Sequence, residues 1–366
     1  MTLGADPLEY SPQTSAPPGE SLKETLDLLG ITQADLARRT GLSTKHINQI
    51  IQGLAVLTPE TAILLERATG TAAGVWNGLE AAWRTYQQRE EEDRILADQV
   101  DWLDHFPLAE LVSRRIVPDK TKTVDNLRRV LKFFGVASPQ VAEDLWDDYR
   151  VAFRRSTKKS ADEYATAVWL RYSVLAARDI ECQPFERDAL TRLIPSIRAL
   201  SQRDPADWLT QLPPVCATAG VAVVFSKAIK STYVSSATRW LTPDKVMVAL
   251  TDRYKKDDRF WFAFFHEVGH ILLHGKRLTF LDEDPTAKSE VRAEAEASRF
   301  AADTLIPPTF ATEYRKLKSS PKPFSKIIEF ADRIGVSPGI VVGRLQHDEA
   351  LDWGEGNGLK RDFELT

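Results

Sequence analysis

Two histidines four residues apart, with a glutamate beside the first, stand at His266-Glu267-Val268-Gly269-His270. On a helix, positions i and i+4 leave the same face, so both imidazoles can share one ion. Glu267 lies next to that face. Two imidazole ligands and an adjacent carboxylate are the parts of a zinc-dependent hydrolase, with Zn2+ as cofactor and Glu267 as the catalytic general base. The context strengthens the pattern. Three of the six histidines, His266, His270 and His274, fall within nine residues. Apolar residues flank them at Phe260–Phe265 and Ile271–Leu273, so the helix is expected to be buried. A buried His-Glu-His set without an ion would leave polar groups unmatched, at roughly a few kcal/mol each.

A third protein ligand is needed, and the glutamates of the following helix offer it. Glu290, Glu294 and Glu296 lie in a helical stretch read at 287–305, ended by Pro307-Pro308. Glu296 shares its stripe with Arg292, Arg299 and Asp303, which reads as a solvated ion-pair face. Glu294 shares one with Val291, Ser298, Ala301 and Leu305, which reads as the buried face. A buried carboxylate needs a partner, so Glu294 is assigned as the third ligand, with Glu296 and then Glu290 as fallbacks. His274 is a weaker candidate, since a histidine near a helix end also bonds terminal carbonyls. An oxyanion or substrate donor is also expected. Tyr233, Arg239, Tyr254 and His274 are the candidates, and spacing does not choose among them. No GxSxG, phosphate-binding glycine loop or CxxC pair occurs.

Upstream, Thr32–Gly53 reads as helix, glycine turn at Gly41, then a second helix capped by Ser43. Ile47, Ile50 and Ile51 face inward. Gln33, Ser43, Thr44, Lys45, Asn48 and Gln52 are suited to base edges and phosphates, so DNA binding is expected. The segment is modestly basic, with Arg38, Arg39 and Lys45 against Asp35. Dimerisation or partner docking is the alternative use of such a module, and a homodimer remains open.

The elements that must carry these groups follow from the rest of the sequence. The chain has 366 residues, 43% hydrophobic and 27% charged, with a net charge of −4. That composition fits a multidomain, mainly α globular protein with no global attraction to nucleic acid or membrane. Cys182 and Cys216 read as reduced. No signal pattern or membrane-length apolar run occurs, so a cytoplasmic location and no membrane partner are expected. Residues 1–19 read as a flexible tail. Residues 20–94 read as a five-helix helix-turn-helix domain, its last helix running through Tyr86 and followed by a charge run at Arg89–Arg94 that marks a boundary or a solvated helix face. Residues 95–204 read as a helical middle region whose aromatics serve the core. Residues 205–366 read as an α+β domain. Its strands are Val221–Phe225 and Val246–Leu250, with a candidate third within Ser231–Leu241, followed by the His-Glu-His helix and a C-terminal tail. The segment Phe330–Leu345 echoes Leu36–Ile51, but its second helix is apolar, so it is read as packing.

Residues 21–89 resemble the Xre-type helix-turn-helix of HigA-family antitoxins. Residues from about 205 to 346 resemble the ImmA/IrrE metallopeptidase family. The second match rests on Ala237-Thr-Arg239-Trp240, on Asp258–Lys276, on Glu294 with Phe300-Ala301-Ala302 and Leu305-Ile306-Pro307, and on Gly339–Gln346. The resemblance implies a thermolysin-like, zincin-like domain with His266, His270 and a downstream glutamate as zinc ligands and Glu267 as base. Ser298 departs from the asparagine usual in the family. It further implies a regulatory protease that cleaves a repressor or antitoxin-like protein and so controls stress-response or mobile-element genes. The alternative is an antitoxin-like DNA-binding regulator whose protease-like domain senses a ligand or binds a toxin without turnover.

Overall fold

The computed structural model describes residues 16–146, 162–274, 287–319 and 324–365, with the side chains of 287–290 excepted. The expected tail over residues 1–15 and the Ser156–Ser160 stretch, which by its polar sequence interrupts the helical middle region, lie outside the described residues. The chain is mostly helical and forms two compact units. One comprises the residues up to Asp104 with Arg114–Val130; the other comprises His105–Ser113 and everything from Leu131.

The first unit opens with five helices: α1 (Pro18–Leu29), α2 (Gln33–Thr40), α3 (Thr44–Ile51), α4 (Pro59–Thr69) and α5 (Ala73–Ala97). Their boundaries follow from local chemistry. The Thr32 hydroxyl accepts from Asp35 N–H at 3.1 Å and Ser43 Oγ from His46 N–H at 3.1 Å, so each short helix starts on a satisfied cap. Gly41 ends α2 with φ 75°, a left-handed turn that glycine adopts at no steric cost. Leu22, Leu26, Leu36, Ile47, Ile50, Leu65 and Trp76 close one core. Two sequence expectations need correction. Pro18 and Gly19, placed in the tail, are buried in the first turn of α1. α5 does not end near Tyr86, and of the two readings of the charge run the solvated helix face holds and the boundary does not. The helix continues through the run to Ala97, because Glu and Arg are good helix formers and an exposed face tolerates them.

In the second unit, the middle helices α6 (Leu108–Ser113), α8 (described over 139–146), α9 (Glu163–Asp179), α10 (Arg187–Leu200) and α11 (Pro205–Ala217) precede the sheet, while α7 (Val124–Phe134) contributes to both units. Phe106, Phe134, Trp146 and Tyr164 pack ring on ring, with centroids 4.7 to 6.0 Å apart, as the core reading of the aromatics expected. Leu190, Ile197 and Leu200 of α10 and Trp208 of α11 join the same core as the strands and the His-Glu-His helix.

Three strands make the sheet: β1 (Val221–Phe225), β2 (Ser236–Thr242) and β3 (Lys245–Leu250), in the order β1-β3-β2. β3 is central, parallel to β1 and antiparallel to β2, with Thr238 opposite Val248. Both faces of β1 and β3 are buried, which explains their unbroken apolar sequence. β2 is an edge strand, mostly half-buried and without an unbroken apolar run, so it was legible only as a candidate.

Helix α12 (Asp257–His274) packs on β2 and β3 and runs antiparallel to α13 (Ala287–Leu305). Gly275, which by its sequence position is suited to end the helix, lies outside the described residues. Three further helices, α14 (Ala311–Ser319), α15 (Phe324–Ile334) and α16 (Pro338–His347), complete the unit. Ile340, Val341, Val342 and Leu345 of α16 are buried, so the C-terminal echo is indeed packing.

The last residues are not a tail. Phe363 and Leu365 are buried in the core, and Lys360 pairs with Asp258 at 2.8 Å with both side chains almost fully enclosed. Buried Gln346 donates to the carbonyl of Glu355 at 2.8 Å and accepts from Lys360 Nζ at 2.7 Å, which fixes the loop that delivers Lys360. A polar C-terminal sequence reads as a tail because its partners lie far away in the chain. Among the described residues no helix is long and apolar enough to cross a membrane.

Candidate metal centre

Helix α12 buries Phe260, Trp261, Phe264, Phe265 and Val268 against the sheet and the C-terminal helices. That leaves His266 and His270 on the flank facing α13. Gly269 sets the distance between the two helices. A Cβ at Gly269 would stand 3.1 Å from Ala297 Cα and 3.2 Å from Ala297 O, so the backbones approach to a separation that a larger residue obstructs. The close approach brings Glu294 across the gap. Its carboxylate lies 3.2 Å from His266 Nε2 and 3.3 Å from His270 Nε2. The two Nε2 atoms are 3.0 Å apart. Among the described residues this is the one group of three such side chains whose ligand atoms gather within 4.8 Å.

These separations suit a small cation. Zn–N bonds of about 2.0–2.1 Å in a tetrahedral set put neighbouring ligand atoms roughly 3.3 Å apart. The electrostatics agree. Hydrogen bonds from His266 and His270 hold the Glu294 carboxyl far below the usual carboxylate range, against the opposing effect of burial. Burial disfavours a charged His266, but the Glu294 hydrogen bond and the charges of Glu267 and Glu294 outweigh it and raise its pKa. The cluster therefore favours a positive charge at its centre.

The route by which Glu294 arrives differs from the sequence argument. It was placed on a buried stripe, yet its side chain is about half exposed (54%), and Val291 of the same stripe is 70% exposed. Only the Ala301 and Leu305 end of that stripe is buried. Glu294 faces the histidines because of the Gly269–Ala297 approach, not because its own stripe is enclosed. Glu296 pairs with Arg292 at 2.7 Å, on the solvated face expected for it. The Glu290 side chain lies outside the described residues.

Of the supporting groups, Ser298 was marked in the sequence by its departure from the family pattern, whereas Ser236 and Thr238 were not. Ser298 Oγ stands 3.3 Å from His266 Nδ1, so the position that departs from the family's asparagine still offers that ring nitrogen a polar partner. Glu267 is buried, and both its oxygens are engaged by β2: Ser236 donates to Oε1 at 2.7 Å and Thr238 to Oε2 at 2.6 Å. The only sequence signal for those two was a pair of hydroxyl residues two apart, Ser236 and Thr238, which a strand turns to one face.

The four candidate donors are dispersed. Arg239 lies between Thr238 and Trp240 on β2, and the pleat turns it to the face opposite Ser236 and Thr238. His274 Nε2 is 3.2 Å from the carbonyl of Ala293, so it ties α12 to α13 rather than capping its own helix. Tyr233 and Tyr254 are half exposed and lie against Arg253. In the first unit, Ser43, Thr44, Lys45, Asn48 and Gln52 are exposed on α3 or its cap, while Gln33 is half-buried. Ile47 and Ile50 turn inward.

Comparison with known proteins matches the two halves separately. A helix-turn-helix family model covers residues 22–76, and the model of the IrrE N-terminal-like domain covers residues 216–346. The chain joins a helix-turn-helix regulator domain to an IrrE-like domain. The helix-turn-helix part is 30% identical over 76 residues to the uncharacterized HTH-type transcriptional regulator YddM of Escherichia coli (strain K12), spanning 21% of this chain and 81% of that protein. Two solved structures align with it. An addiction module antidote protein of the HigA family from Coxiella burnetii is 25% identical over 23% of this chain and 91% of its own, with a TM-score of 0.22. A putative antidote protein of a plasmid maintenance system from Nostoc punctiforme is 32% identical over 21% and 89%, with a TM-score of 0.20. The IrrE-like domain contains β1, β2, β3, α12 and α13, hence the whole His266, His270, Glu294 and Glu267 constellation.

Proposed function

We propose that the chain is a regulatory zinc endopeptidase that cleaves a transcriptional repressor or antitoxin-like protein, with the helix-turn-helix domain docking it to DNA or to that protein. The observation that carries this reading is the convergence of His266, His270 and Glu294 beside a buried carboxylate. Those three side chains would hold Zn2+, with Glu267 as general base. When bound, the ion supplies Lewis-acid activation of water and of the peptide carbonyl. The protein's own part is positional. Ser236 and Thr238 aim the Glu267 carboxylate, and each of its oxygens keeps a second lone pair free to take a proton. β2 is the edge strand among the described residues, so an extended substrate can pair along it by strand addition, beside the Ser236 and Thr238 that hold Glu267. In this reading the helix-turn-helix domain spans 20–94, the helical middle region 95–204 and the peptidase domain 205–366.

The exposed polar face of α3 supports a second reading, a DNA-binding regulator whose IrrE-like domain senses without turnover. One experiment separates the two. The chain and its Glu267→Gln variant are each expressed beside the repressor genes that neighbour it. Loss of a neighbouring repressor with the wild-type chain alone supports the peptidase. Equal loss, or none, with both proteins contradicts it.

A further inference from the structure

Near the start of β2, a helical turn or more along α12 from Glu267, stands a row of aromatic rings and guanidiniums. The Arg253 guanidinium lies 4.6 Å from the Tyr233 ring centroid and 5.1 Å from that of Tyr254. Arg259 lies 5.5 Å from Tyr254 and 5.2 Å from Trp353. The order along the row is Tyr233, Arg253, Tyr254, Arg259, Trp353. All three rings are about half exposed. Stacking of this kind holds a guanidinium by its faces and leaves the N–H donors of its edge pointing outward.

Those edges carry unspent charge. Lys255 and Lys256 nearby are paired with Glu364 and Asp362. Asp252 is turned to the backbone N–H groups of Ala228 and Leu365. No hydrogen bond or ion pair engages the guanidinium of Arg253 or Arg259 among the described residues. The backbone is held in place around them at some cost: Tyr233 and Lys255 both sit at positive φ, 54° and 50°, where non-glycine residues are rare.

The row borders the candidate catalytic site. Arg253, Tyr254 and Arg259 line a pocket whose other walls include Ser235 and Ala263. Ser235 immediately precedes Ser236, which holds Glu267 Oε1. Ala263 lies one helical turn before Glu267 on α12, about 5–6 Å along the helix. A peptide paired along β2 beside Ser236 and Thr238 would therefore reach this pocket at the strand's start, where Ser235 lines it. We infer that the Arg253 and Arg259 pair is a specificity subsite for an acidic side chain of the substrate polypeptide, placed close to the scissile bond. Arginine edges fit a carboxylate with two parallel hydrogen bonds, and the flanking rings pre-order them for it. The proposal rests on the peptidase reading for its substrate.

The test is a binding experiment that requires no turnover. Full-length Glu267→Gln protein loaded with zinc is titrated into two fluorescein-labelled peptides of equal length. One carries a central run of Glu and the other has Gln at the same positions. Anisotropy is expected to show the Glu peptide binding about tenfold tighter or more, the effect of one charge-assisted contact. In the charge-reversed variant Arg253→Glu/Arg259→Glu, checked for unchanged zinc content, the two peptides are expected to bind alike. Equal binding of both peptides to the parent protein overturns the subsite, as does a Glu preference that survives the charge reversal. Arginine-dependent binding of a single-stranded oligodeoxynucleotide, without a preference for the Glu peptide, overturns it as well. Each of these failures leaves the zinc content and the repressor-loss result untouched, so the subsite and the peptidase reading fall separately.

Discussion

Thr238 on the edge strand donates its hydroxyl hydrogen to Oε2 of Glu267 on α12, at 2.6 Å. With Ser236 on Oε1, this anchors the candidate base to the strand expected to receive substrate. Orientation of the base should therefore depend on β2. Thr238→Val and Ser236→Ala are each expected to lower the rate of repressor loss by about 10–100-fold, the size seen when a supporting partner of an active-site group is removed. Zinc content should not change, because neither hydroxyl touches the histidines. Unaltered rates in both variants would show that the hydroxyls do not position the base.

Gly269 makes a different kind of contribution. Adding a methyl group there presses on the Ala297 backbone, which has no flexible end to swing aside. Gly269→Ala is expected to cost roughly 1–3 kcal/mol of stability by overpacking. It should also weaken zinc binding, because Glu294 reaches the histidines only across that close approach. Chelator competition and urea unfolding measure the two effects. Wild-type zinc affinity in this variant would mean that the helix spacing does not set the site.

The buried pair Asp258–Lys360 joins the first turn of α12 to the end of the chain. Removing one partner strands the other charge, so Lys360→Met is expected to destabilise the protein by about 3–5 kcal/mol. The double variant Asp258→Leu/Lys360→Met should recover part of that loss if the space allows. Gly343 packs against Asp258 and limits how much. Urea unfolding followed by tryptophan fluorescence reads both, and a loss under about 0.5 kcal/mol in the single variant would remove this pair from the account.

How much of this was legible depended on how local the signal was. The helix-turn-helix caps at Thr32 and Ser43, the turn at Gly41 and the His-Glu-His helix are all written within a few residues of one another. The two buried strands were readable as β-branched runs. Ser236 and Thr238 were not, because their partner is 31 and 29 residues away and a lone hydroxyl carries no periodic signal, whereas Ser298 stood out only through the family resemblance. Glu294 was chosen on an argument about burial that its half-exposed position does not support, and the contact that places it belongs to Gly269 on another helix. The C-terminal segment misled for the same reason: Lys360 finds Asp258 a hundred residues upstream.

On the DNA side, Lys45 and Asn48 are exposed on one face of α3 while Ile47 and Ile50 hold it in the core. With DNA from upstream of the gene as probe, Asn48→Ala is expected to cost about 1–3 kcal/mol and to relax sequence preference. Lys45→Ala should weaken binding evenly and flatten its salt dependence. Gel-shift titrations at several salt concentrations measure both. Unchanged binding in the two variants would assign the module to protein docking.

The most direct test of the metal centre is zinc content after dialysis of the purified full-length chain. Wild type and Glu296→Ala are expected to retain one zinc ion per chain, whereas His266→Ala, His270→Ala and Glu294→Ala lose it. Full retention in Glu294→Ala, or a wild-type chain that binds no zinc when supplied with it, would contradict the account.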